Sequence, residues 1–229
     1  MTKLSKRLER IIEFVDNGSK TADIGCDHGF VTIELLRRGI VERAAAADVN
    51  REPLKKAKEN AEKAGVSDRI SFYLSDGLKK LPTEGIDTVI IAGMGGILMT
   101  RILDEAPDEL MSCLKTFILA PQSEYEHFRH FLADKGYEII DEALIEEDGK
   151  YYPIIKCNYS GRPYSFEKEI YYRYGKILPE RKDNTLRDNL LNDLEIYAKI
   201  LDNNTLPEIR RNELLEKTGM IRQIIDQWP

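Results

Sequence analysis

The sequence predicts an α/β fold: a doubly wound, mostly parallel sheet of seven strands with an antiparallel edge hairpin, followed by a second, all-helical domain. Three observations predict it. From residue 21 to about 160, short β-branched runs alternate with helical patterns, the rhythm of parallel strands joined by crossover helices. The last two strand-like runs have no helix between them, so they pair as a hairpin at one edge. Beyond residue 163 strand signals stop and helical periodicity remains.

The elements follow in order. Leu4, Leu8, Ile11, Ile12 and Val15 recur at helical spacing, and Asn17-Gly18 ends that first helix. Thr21–Gly25 is a strand leading into a helix through Val31–Arg38. Ala44–Val49 is the second strand, followed by a helix from Pro53 to Lys63 that Gly65 stops. Ile70–Leu74 and Asp87–Ala92 are the third and fourth strands, and Gly96–Leu103 is helical. Thr116–Ala120 is the fifth strand. Ser123-Glu124-Tyr125-Glu126 has the form of a capping box and opens a helix ending at Gly136. Tyr137–Ile145 and Tyr151–Asn158 are the hairpin strands, turning at Glu147-Asp148-Gly149.

Tyr159–Pro163 reads as a boundary, giving a domain over 1–160 and a second over 164–229. In the second, Glu167–Leu178 is a short helix. Leu186, Leu190, Leu194, Tyr197 and Leu201 then form one stripe. Ile209, Leu214, Met220 or Ile221, Ile224 and Trp228 form another. Two such helices joined across Asn203–Pro207 read as an antiparallel, coiled-coil-like αα-hairpin.

Composition narrows the class. The 229 residues carry 34 Lys+Arg against 40 Asp+Glu, a formal charge of −6, so any nucleic-acid contact must use a local basic patch. The segment 164–229 is nearly neutral, with 11 Lys+Arg and 12 Asp+Glu. Cys26, Cys113 and Cys157 are far apart and form no CxxC pair, which argues against a disulfide framework or a metal site and fits a cytoplasmic protein. No apolar run approaches the roughly 20 residues that span a bilayer. The basic N-terminus has no apolar stretch behind it and is not a signal peptide.

Ligands of an open parallel sheet bind at the carboxyl ends of its strands. The first such end is Asp23-Ile24-Gly25-Cys26-Asp27-His28-Gly29. Its glycines allow a tight turn and close approach to a ligand. A dinucleotide fingerprint would carry its second glycine where Asp27 stands, and that carboxylate would repel a pyrophosphate. A ligand bearing an ammonium and a sulfonium is attracted instead. S-adenosylmethionine has both, so it is preferred over NAD. The second end, Asp48-Val49-Asn50, offers Asp48 to ribose hydroxyls, since Asn50 can cap the following helix. The third, Ser75-Asp76-Gly77, offers Asp76 to the amine of adenine. The fourth, Gly93-Met94-Gly95-Gly96, leaves room for a planar group, with Met94 to pack on it. The candidate cofactor contacts are therefore Asp23, Gly25, Cys26, His28, Gly29, Asp48, Val49, Asn50, Asp76, Gly77, Gly93 and Met94. Pro121-Gln122 adds a polar side chain to the same rim.

The set Asp-x-Gly-x-Asp-His, Ala-Asp-Val-Asn, Ser-Asp-Gly, Ala-Gly-Met-Gly-Gly and Ala-Pro-Gln-Ser-Glu, in this order, resembles the bacterial tRNA (adenine-22-N1)-methyltransferase family. The Glu146–Tyr152 turn fits as well. The resemblance covers residues 1–160 by motif and the remainder by architecture. It implies a class I, Rossmann-like methyltransferase domain followed by a helical coiled-coil-like domain, with S-adenosylmethionine as cofactor and tRNA as partner. It places Gly25, Asp27, His28, Asp48, Asp76 and Gly77 around the cofactor, with Asp27 also facing the target base. Cys26 stands where related enzymes often have Ser.

On this reading Asp27 is the candidate catalytic residue. It either takes the charge and proton of the adenine amine or positions the cofactor ammonium. Lys3, Lys6, Arg7 and Arg10 on the first helix would contact RNA phosphates. The helical hairpin would add an RNA surface or serve dimerisation. The rivals are a methyltransferase acting on another RNA, a protein or a small molecule, and a non-catalytic cofactor-binding regulator.

Overall fold

The computed structural model describes residues 4–203, 206–226 and 228. The chain divides into two compact units, Met1–Ser165 and Phe166–Pro229. The first unit opens with α1 (Lys6–Glu13), capped by the Ser5 hydroxyl, which accepts from Leu8 N–H. Then come β1 (Thr21–Ile24), α2 (Phe30–Arg37), β2 (Ala44–Asp48), α3 (Arg51–Lys63), β3 (Ile70–Leu74), β4 (Thr88–Ala92), α4 (Gly96–Asp104), the short α5 (Asp108–Met111), β5 (Thr116–Ala120), α6 (Tyr125–Lys135), β6 (Tyr137–Glu147) and β7 (Lys150–Tyr159).

The seven strands lie in the order β3-β2-β1-β4-β5-β7-β6. The first five are parallel, and β7 runs antiparallel to both neighbours. The order reverses between β1 and β4, whose ends are in register: Ile24 sits opposite both Ala47 and Ile91. That switch point is where an open sheet leaves a crevice.

Alternation along the strands sends side chains to two cores. On one face Ala22, Ile24, Val89, Ile91, Phe117 and Leu119 meet Met99, Leu103, Phe128 and Leu132 of α4 and α6. On the other, Ala44, Ala46, Ile90 and Ile118 meet Ile11, Ile12, Leu35, Leu36, Ala57 and Ala61 of α1, α2 and α3. The all-alanine run of β2 has low strand propensity, yet burial on both faces holds it extended. Pro153 is tolerated in β7 because β5 pairs only with Ile155–Asn158, leaving its nitrogen on an open edge. The hairpin turns at Asp148 and Gly149, both with positive φ, as a two-residue loop of this hand requires.

Two helices begin or break differently from expectation. The capping box at Ser123 does not form: Glu124 is the N-cap of α6, at φ 52°, with no side-chain cap bond. The Ser123 hydroxyl bonds the Glu124 carboxylate and the Ser123 carbonyl accepts from Gly96 N–H, so the segment is held by α4 instead. The Glu167–Leu178 helix is two short turns, α7 (Ile170–Tyr174) and α8 (Ile177–Glu180), split by Gly175 at φ 82°.

The second unit continues with α9 (Asn184–Leu201) and α10 (Glu208–Ile225), which pack on each other. Asp183 caps α9 by accepting from Leu186 N–H. Leu186, Leu190 and Tyr197 are buried along α9, and Leu214, Ile221 and Ile224 along α10. Ile221 rather than Met220 takes the inner place, and Ile209, expected in the stripe, is 78% exposed. No helix of the described residues is long and apolar enough to cross a membrane.

Candidate active site

The loop from β1 to α2 forms the floor of a cleft of about 180 Å³ at the switch point. Gly25, Asp27 and Gly29 all lie in the left-handed region, at φ 70°, 47° and 73°. Aspartate tolerates that conformation better than most residues, at a cost of about 1–2 kcal/mol. Gly25 N–H and Cys26 N–H both donate to the Ala47 carbonyl, at 2.8 and 3.0 Å, fixing the loop to β2. Asn60 of α3 donates to the His28 carbonyl at 3.0 Å. A side chain at Gly29 would press on Ala57, 3.1 Å away, so glycine there lets α3 close against the loop.

Asp23, Gly25, Cys26, Asp27, His28 and Gly93 line this cleft together, as the sequence proposed. Asp23 is buried and accepts from the Thr32 hydroxyl at 2.8 Å. Burial pushes its carboxyl up to about 6, the Asp48 charge adds to the rise, and the Thr32 hydrogen bond opposes it. Burial also pushes the Cys26 thiol up, so it is a wall group and not a nucleophile. The Asp27 side chain is 69% exposed at the mouth, with His28 Nε2 3.6 Å from its carboxylate.

Asp48 is buried beside the cleft, and its Oδ1 accepts from Asn50 N–H at 2.8 Å. Asn50 occupies the N-cap of α3 but makes no side-chain cap bond, so Asp48 organises this turn. Val49 beside it is 59% exposed. Met94 reaches over the first loop: a Cβ on Gly25 would come within 2.1 Å of its methyl. Asp76 departs from expectation. Its carboxylate accepts from Lys79 at 2.8 Å and meets Arg101 at 3.3 Å on the surface, and the Lys79 bond holds its proton affinity below the usual range. Gly77, at φ 60°, is needed for packing, since a side chain would strike Ile102. Gly95 and Gly96 likewise make room for Ser123 and Glu124 rather than for a ligand.

The basic residues of α1 separate. Arg7 lines the cleft, its guanidinium 4.8 Å over the Tyr152 ring and its buried Nε without a partner. Lys6 faces Glu146 at 3.9 Å, and Arg10 pairs with Glu13 at 2.6 Å. Lys3 lies outside the described residues. Phe30 and Leu8, which the strand-end argument did not single out, complete the wall. The signal for Phe30 was an aromatic directly after the last loop glycine.

The charge of the cleft fits the cation of S-adenosylmethionine. The buried Asp23 carboxylate on the cleft floor is costly to ionise, and a bound cation relieves that cost. Gly25 lines the cleft with the Met94 side chain packed over it. The methyltransferase domain model matches residues 4–155. A Bacillus subtilis tRNA (adenine(22)-N(1))-methyltransferase is 29% identical over 233 residues, covering 98% of each chain. Streptococcus pneumoniae Sp1610, a candidate tRNA (m1A22) methyltransferase, is 30% identical, with a TM-score of 0.88 over 97% of this chain and 100% of that one.

The chain belongs to the tRNA (adenine-22-N1)-methyltransferase family.

It is an S-adenosylmethionine-dependent enzyme, and Sp1610 has been solved with that cofactor. Membership accounts for both units, since the likeness runs through the helical one. Likeness to a ribosomal protein L11 methyltransferase of Alteromonas mediterranea, by contrast, is 32% identity over 85 residues, 37% of this chain and 29% of that protein.

Proposed function

We propose that the enzyme transfers a methyl group to N1 of adenine 22 in tRNA, with Asp27 acting on the base. The observation that supports it best is end-to-end likeness to enzymes of that activity, second unit included, where a protein-modifying relative matches only 37% of the chain. When bound, S-adenosylmethionine supplies a sulfonium methyl that adenine N1 accepts through its in-plane lone pair. The reacting edge is the Watson–Crick edge, so the base must leave its stack first, at a cost of a few kcal/mol.

Asp23, buried at the floor, holds the cationic part of the cofactor, and Asp48, buried at the end of β2 beside it, holds the ribose. Asp27 stands outward of them at the mouth. Methylation at N1 puts positive charge on the adenine, and a carboxylate at its exocyclic amine stabilises that charge and can take the amine proton. Arg7 at the cleft, with Lys6 and Arg10 on the same helix, contacts RNA phosphates. Labelled cofactor offered to unmodified tRNA, cell protein and small metabolites tests the reading: label in tRNA adenine supports it, and label only in protein or metabolites defeats it. Asp27→Ala should abolish turnover while calorimetry shows cofactor affinity retained. Loss of both together would assign Asp27 to the cofactor.

A further inference from the structure

We infer that Phe30, stacked with His28, is the shelf on which the extruded adenine lies during methyl transfer. The inference rests on the tRNA-adenine reading above. Phe30 is the first residue of α2, directly after the left-handed Gly29. The helix buries Val31, Ile33, Leu35 and Leu36, whereas Phe30 joins neither core and stays 39% exposed. The fold therefore does not need this ring. It lines the cleft beside Asp27, and its plane stacks on the His28 ring with centroids 5.4 Å apart and an angle of 22°.

A base drawn out of an RNA stack loses flat neighbours on both faces, and an enzyme replaces them with aromatic surface. Phe30 offers such a surface within the cleft that holds the carboxylate for the base's amine. Backing by His28 limits the ring's freedom and keeps the shelf in one orientation. The ring itself reads no sequence, because every base has a π-face. Discrimination for adenine then falls to Asp27 at the edge.

Phe30→Ala, Phe30→Tyr and Phe30→Trp test this with two readouts. Stacking energies per base imply that Phe30→Ala lowers kcat/KM for tRNA by about 10- to 100-fold, while Phe30→Tyr and Phe30→Trp stay within about threefold of the parent. Cofactor affinity by calorimetry should fall far less than turnover does in Phe30→Ala. Phe30→Trp in a Trp228→Phe background should show tryptophan quenching by intact tRNA, and little by tRNA abasic at the target nucleotide. Parent-like turnover in Phe30→Ala overturns the shelf, as does quenching that ignores the abasic site. A matching loss of cofactor affinity moves Phe30 to the cofactor and also overturns it. If the parent enzyme leaves tRNA adenine unmodified, the underlying substrate reading has failed instead.

Discussion

Asp23 places a carboxylate at the cleft floor whose proton affinity is raised to about 6. A cation bound there needs it ionised. Cofactor affinity should therefore fall as pH drops through about 6 and be level well above it, and Asp23→Asn should bind weakly with a flatter profile. A parent profile with no break in that region would contradict the assignment. The same shift has a sign for stability. Between the ordinary 3.8 and about 6, the folded chain keeps a proton that the unfolded chain has released, so stability is lost as pH rises through that window. Asp23→Asn without cofactor should then be more stable than the parent at neutral pH, by on the order of 1–3 kcal/mol in urea unfolding. Gly25 is the second residue where chemistry and backbone meet. Gly25→Ala must hold a side chain at φ 70° and push Met94 aside, costing about 1–2 kcal/mol of stability for the backbone alone. Calorimetry should show its cofactor binding lost.

At the scale of elements, α6 and β6 are joined by a buried ion pair. Arg129 donates to Glu142 at 2.8 Å, both side chains almost wholly enclosed. Such a pair costs desolvation to form and more to break, so Glu142→Ala should destabilise by about 3–5 kcal/mol, and replacing both residues with apolar ones should cost less. Urea midpoints of the single and double variants decide it. Helix α1 carries the other element-scale consequence. Of its cations, Arg7 faces the cleft while Lys6 and Arg10 stand near carboxylates. Neutralising a cation that contacts a phosphate should reduce the salt slope of tRNA binding by about 0.7–0.9 per contact. Arg7→Gln should therefore flatten the slope, and an unchanged slope would remove α1 from the RNA surface.

Over the whole molecule, what could be read from the sequence was what repeats along it. Strand runs such as Ile70–Leu74 and Thr116–Ala120, and the Asp-x-Gly-x-Asp-His turn, announce themselves within a few residues. What could not be read depends on distant partners. Asp76 was readable as a strand-end carboxylate, but Arg101, which meets it, is 25 residues away. Ser123 has the local chemistry of a helix cap, yet α4 claims it. Arg7 reads as one charge among several until the fold lays it over Tyr152. Gly175 divides a periodic stretch because its φ of 82° cannot continue a helix. Phe30 belongs to the same class: its position after Gly29 is plain, but its exposure in the cleft exists only in the folded chain.

Methyl transfer to N1 of adenine 22 in tRNA is read out by primer extension. A methyl on N1 blocks base pairing, so reverse transcription of an unmodified transcript treated with enzyme and cofactor should halt at nucleotide 22. It should read through when that adenine is replaced by guanine or when Asp27→Ala enzyme is used. A halt at another nucleotide, or full read-through with the parent enzyme, would rule out adenine 22 as the target.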